Sequence, residues 1–135
     1  MTTRTDDTLA VNRWDDPVLA QLGWPVGGRY MRWTWSSLLG PTATQLVILL
    51  DEVVTASGQV TFNYCALSAT LGVKPSVLAR AVGRLERFHM VRVTGQRVAV
   101  RHHVADVPEH LLVRLSPYGL AVHRELTARR LRPVS

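Results

Sequence analysis

The reading of this chain turns on residues 75–101, PSVLARAVGRLERFHMVRVTGQRVAVR. Its first half carries apolar side chains at helical spacing: Leu78, Val82, Leu85 and Phe88 form one stripe, and Pro75-Ser76 opens the run. Ser76, Arg80, Gly83, Arg84 and Arg87 fall on the opposite side. Arg80, Arg84 and Arg87 stand at i, i+4 and i+7, so three guanidinium groups share one face, with Glu86 the one acid on that helix. After Phe88 the period drops to two. Val91 and Val93 alternate with Arg92 and Thr94, Gly95-Gln96 makes a turn, and Val98 and Val100 alternate with Arg97, Ala99 and Arg101. That pattern predicts a β-hairpin with valines inward and arginines outward.

Working outward, Asn63 is placed to cap a short helix over Tyr64 to Thr70, ended by Gly72. Gln59 to Phe62 leaves room for a very short strand. A long helix is predicted from Gly40-Pro41 to Gly58, with Ala43, Leu46, Val47, Leu50, Val53 and Val54 on its buried stripe. Residues 13–40 form a Trp-rich helical segment: Asp16-Pro17 starts a short helix stopped at Gly23, and Arg29 to Leu39 crowds aromatic and apolar groups together. All four tryptophans lie within residues 14–35, and their rings are expected to pack this segment onto the core. Residues 1–12 are read as a flexible arm. Downstream, a helical extension is expected over 105–131, with a short helix at Glu109 to Leu115. Its last helix runs from Ser116-Pro117 to about Leu131, with Tyr118, Ala121, Val122 and Leu126 as its apolar edge. Residues 132–135 are read as a tail.

The 135 residues are 47% hydrophobic and 19% charged, which is the composition of an ordinary globular domain and not of a disordered chain. Charge is unevenly placed. Residues 1–71 carry four arginines against six acids, whereas residues 72–135 carry one lysine and eleven arginines against four acids. A basic half on a mildly acidic remainder suits a polyanion. No apolar run reaches the roughly 20 residues that a membrane-spanning helix requires. The polar, acid-bearing start at Met1 to Asp7 is unlike a signal peptide. With the single cysteine, Cys65, this predicts a cytoplasmic protein held in a reducing compartment.

Two helices joined by a tight turn and followed at once by a hairpin resemble the winged helix-turn-helix family of DNA-binding proteins. Ala66-Leu67-Ser68-Ala69-Thr70-Leu71-Gly72-Val73 looks like the second helix and turn of that family, and Leu85-Glu86-Arg87-Phe88-His89-Met90-Val91 like the end of its recognition helix. The Trp-rich lead into Leu39-Gly40-Pro41-Thr42-Ala43-Thr44, with Arg114-Leu115-Ser116-Pro117 later, is similar to a set of short winged-helix proteins from high-GC Gram-positive bacteria. His89 stands where such sequences carry Gly. The expected architecture is therefore α+β, mostly α: a winged helix-turn-helix over 41–104 with extra helical segments on both sides.

The resemblance implies duplex DNA as partner and transcription regulation as role, close to the nucleoid. Ser76 and Arg80 would then face base edges in the major groove, Lys74, Arg84 and Arg87 would reach phosphates, and Arg92, Gln96, Arg97 and Arg101 would form the wing contacts. Adjacent His102 and His103 are expected on opposite strand faces and would add charge to that surface below about pH 6.5. No metal or cofactor is expected: the five histidines lack i, i+4 pairs and there is no second cysteine. Cys65 reads as a buried inert thiol, Asp51-Glu52 as a solvated face, and no phosphate-cradling or nucleophile turn is present, so the chain is not expected to be an enzyme. A homodimer formed through the Trp-rich segment or the last helix is a further expectation. The competing reading is a winged-helix module that docks proteins without touching DNA.

Overall fold

The structure, a computed structural model, describes residues 7–131. Its elements are β1 (Thr8–Arg13), α1 (Pro17–Leu22), β2 (Trp24–Pro25), α2 (Arg29–Trp33), α3 (Trp35–Leu39), α4 (Pro41–Ser57) and β3 (Gln59–Asn63). There follow α5 (Tyr64–Thr70), α6 (Pro75–Arg87), β4 (Val91–Thr94), β5 (Arg97–Val100), β6 (His103–Val104), α7 (Glu109–Leu112) and α8 (Pro117–Leu131). The α5–turn–α6 pair followed by the β4–β5 hairpin is the winged helix-turn-helix arrangement. Asn63 caps α5 as expected, its side chain accepting from the Ala66 N–H at 2.9 Å.

The first correction lies at the N-terminal end. Residues 8–12, read as part of a flexible arm, belong to β1; residues 1–6, like the tail at 132–135, lie outside the described residues. β1 sits inside the sheet, whose order is β3-β1-β5-β4. It runs antiparallel to β3, pairing Leu9 with Phe62 and Val11 with Val60, and parallel to β5, pairing Val11 with Val98. The alternation Leu9, Val11 inward and Thr8, Asn12 outward is the period-two pattern of a half-buried strand.

The sheet's inner face meets α4 and α6 to make the core: Val11, Val98 and Val100 from strands, Leu46, Val47 and Leu50 from α4, Leu78 and Leu85 from α6. At α4, Asp51 is only 8% exposed rather than solvated. It accepts from the Arg13 guanidinium and the His102 Nδ1, each at 2.8 Å, so it fixes the end of β1 and the residues after β5 to the helix. A buried carboxylate needs such partners, since leaving it unpaired costs several kcal/mol (on the order of 3–5). The His102 and His103 rings meet edge to face at 4.7 Å instead of pointing to opposite sides. Burial and the neighbouring His102 both push the His103 imidazole below its ordinary range. Cys65 is half-buried.

The Trp-rich segment packs as anticipated for two of its rings and also clasps α8. Trp35 is buried against Phe88, and Trp24 stacks on Tyr30 at 4.6 Å. The Tyr30 hydroxyl accepts from the Val107 N–H at 2.9 Å and lies 2.7 Å from His123 Nδ1 on α8. Burial holds His123 below its ordinary pKa and raises Tyr30 to about 12. Arg130 lies over the Trp24 ring and bonds both oxygens of Asp106, which also accepts from Trp24 Nε1 at 2.6 Å. Burial works to raise the Asp106 carboxyl, but these donors outweigh it and hold it low. A Cβ at Gly119 would stand 2.5 Å from the Trp33 carbonyl oxygen, so glycine sets how closely α8 approaches α2. Of the apolar edge expected on α8, Val122 is buried and Leu126 half-buried, but Tyr118 and Ala121 face outward. No helix among the described residues is long and apolar enough to cross a membrane.

Candidate nucleic-acid interface

α6 buries Leu78, Ala81 and Leu85, with Val82 and Phe88 half-buried, and this fixes its rotation. The outer side that remains presents Ser76, Arg80, Gly83, Arg84 and Arg87, all exposed. The helix closes at His89, whose φ of 60° is the left-handed conformation that glycine would adopt more cheaply. His89 N–H donates to Glu86 O at 3.0 Å and Met90 N–H to Leu85 O at 2.9 Å, the paired bonds of a Schellman stop. Met90 is buried, so the turn is held by its hydrophobic contact and tolerates the histidine.

α6 does not stand alone as a ridge. It forms one wall of a groove of about 580 Å³, whose other wall is the junction of α3 and α4 at Gly40, Pro41 and Thr42. Arg80, Arg84 and Arg87 all line it, and no acidic side chain among the described residues does. Gly40 takes φ of 85°, which favours glycine, and a Cβ there would lie 3.2 Å from the flexible Arg84 Nη1. Arg84 is partly committed: Nη1 donates to the Leu39 carbonyl at 3.1 Å, tying α6 to the end of α3. The remaining guanidinium donors stay available. Arg80 and Arg87 make no ion pair among the described residues, with Glu86 or any other acid, while Asp106 is taken by Arg130. Gly83 has open space where a Cβ would be, so nothing in the protein itself demands a glycine in mid-helix.

Lys74 caps the start of α6 through its backbone, accepting from Val77 and Leu78 N–H groups, and its side chain is exposed beside Ser76. On the hairpin, Arg92, Thr94, Gln96 and Arg97 are exposed around the Gly95-Gln96 turn. The turn is anchored, since Gln96 O accepts from the Ala10 N–H of β1 at 2.9 Å.

The wing divides there. Trp14, just past β1, lies between two of the arginines: Arg101 at 3.7 Å and Arg92 at 4.6 Å from the ring centre. Arg92 stays exposed with one face on the ring. Arg101 does not. Its side chain is 14% exposed, its Nε donates to His89 O at 2.8 Å, and its Nη1 pairs with Asp16. That pairing, with backbone donors from α1, holds the Asp16 carboxyl below the usual range. Arg101 is therefore a brace between the wing, the end of α6 and α1, and it is removed from the set that could meet a phosphate. Sequence alternation sent Arg101 outward correctly, but outward at this point is covered by the aromatic segment.

Beyond the set named from sequence, Arg13 and His102 proved to be tied to Asp51, and so bear on the site only by holding the sheet. Exposed large apolar side chains lie elsewhere, at Val18, Leu22, Trp33, Val113 and Tyr118.

No protein-family profile matches the chain, and no curated protein matches it. Among solved structures, the chain is similar to the crystal structure of primosome protein DnaB, residues 1–300, from Geobacillus stearothermophilus, with a TM-score of 0.59 and 13% identity. The likeness covers 99% of this chain and 54% of that one, so the chain spans about half the length of the structure it resembles. At that identity the fold is what the two share.

Proposed function

We propose that this protein binds duplex DNA as a transcription regulator, a recognition and not a catalytic role, carried out at the nucleoid. The observation that carries the reading is the acid-free groove into which Arg80, Arg84 and Arg87 all project. With α6 entering the major groove, Ser76 and Arg80 on its early turns meet base edges, where a bidentate arginine–guanine pair is worth about 1–3 kcal/mol of discrimination. Arg87, the free arm of Arg84, and Lys74 take phosphates. Arg97 and Gln96 at the hairpin tip, with Arg92 behind them, reach the flanking backbone.

About five phosphate contacts would cost roughly five hundredfold in affinity between 50 and 200 mM salt. Fluorescence anisotropy on random duplex across that range tests the reading directly. Arg80→Ala should weaken binding to a selected site more than to random duplex, whereas Arg97→Ala should weaken both alike. Failure of the wild-type chain to bind duplex at low salt ends the proposal.

A further inference from the structure

α7 and α8 enclose a second groove, of about 530 Å³, away from the basic face. Its walls include Leu112, Leu120 and Ala128, and its charged lining groups are Glu109 and Arg124. The third titratable group there, His123, is engaged by the Tyr30 hydroxyl, and burial lowers its pKa. Val113 stands at the groove with 86% of its surface exposed, the highest value among the exposed large apolar side chains. A β-branched side chain that open to water, beside an apolar hollow, gains by being covered.

The surface is complementary to itself. It carries both a knob, Val113, and a hollow floored by Leu112, Leu120 and Ala128. It also carries one acid and one base, and neither Glu109 nor Arg124 makes an ion pair among the described residues, although Arg29, Arg101, Arg129 and Arg130 all do. A twofold axis turns such a surface onto its own complement, since in an isologous contact residue i meets j and j meets i. We propose that the α7–α8 groove is the dimer interface of this protein, with Val113 of each copy seated in the other's hollow and Glu109 of each facing Arg124 of the other. The expected dimer thus uses the last helix, while Trp24 and Trp35 of the Trp-rich segment are engaged inside the protomer.

Sedimentation velocity of the full chain without DNA tests this independently of nucleic-acid binding. The wild type should sediment as a dimer at about 50 µM. Val113→Glu, a surface change whose fold is to be checked by circular dichroism, should weaken association on the order of a hundredfold by placing a charge in the apolar hollow. Glu109→Arg and Arg124→Glu should each weaken it about fivefold, and the double swap should restore it because the pair re-forms with reversed sign. A wild-type chain that remains monomeric at about 200 µM overturns the proposal and leaves the groove to a different partner. So does a Val113→Glu variant that dimerises as well as the wild type, or a double swap no tighter than its parents.

Discussion

Two arginine-bearing regions of this molecule, the outer side of α6 and the outer side of the hairpin, have nearly the same sequence character and different fates. On α6, Arg80 and Arg87 project into an acid-free groove. On the hairpin, Arg101 is bonded to Asp16 and His89 and stacked on Trp14, and Arg92 shares the same ring. The helical face is decided locally: once Leu78 and Leu85 point in, Arg80 and Arg87, each two residues further on, point out. The strand face is decided at long range, because β1 lies beside β5 and brings Trp14 and Asp16 over its end. Orientation is a local property of sequence, and availability is not.

Substitutions can break this contrast. The largest effect is expected from Arg101→Ala, which takes one partner each from Asp16, the His89 carbonyl and the Trp14 ring; unfolding in urea should show a clearly lowered midpoint. Duplex affinity of the folded protein should barely change. The double variant Arg80→Ala with Arg87→Ala should do the reverse, leaving the urea midpoint in place while lowering the slope of log affinity against log salt by about one, the share of Arg87 at a phosphate, and costing site discrimination through Arg80. Equal losses of stability in both variants would erase the distinction drawn here.

Acid titration sharpens it further. The Asp16 carboxyl is depressed in the folded protein, so its contribution is present above the unfolded pKa, about 3.9, and is lost as pH falls through the folded value. Thermal melts from pH 5 to 3 should therefore be less steep for Arg101→Ala than for wild type, with Asp106 and Glu125 supplying the slope that remains. Arg80→Ala should track the wild type, having no carboxylate partner. The smallest effect belongs to Gly83→Ala, which fills open space on a helix and should raise stability by about 0.5–1 kcal/mol. If duplex packs against the groove, the same methyl should weaken binding, and tighter binding would place the DNA elsewhere.

Much of the scaffold was legible because its signals are local. The stripe of α4, the Asn63 cap, the run from Pro75 and the change of period after Phe88 each specify an element from its own residues. The arginines on α6 were legible for the same reason. β1 was missed although Leu9 and Val11 alternate with polar neighbours, since a six-residue strand is recognisable only with its partners, and those lie at 59–63 and 97–100. Asp51 was misplaced because a carboxylate next to Glu52 looks solvated until Arg13 arrives from β1 and His102 from the residues after β5. The groove itself needed the α3–α4 junction to be set against α6, which no spacing within α6 reveals.

The insertion of β1 between β3 and β5 has a mechanical consequence. A two-stranded ribbon projecting from a domain can swing to follow whatever surface it meets, but here β5 is bonded along both edges and the tip is tethered through Gln96 to Ala10. The span from the α6 groove to Arg97 is accordingly a fixed gauge. If duplex is the partner, as proposed above, one whose minor-groove width or curvature does not match that gauge would have to bend to fit, and sequences that deform easily would be preferred even at base pairs no side chain touches.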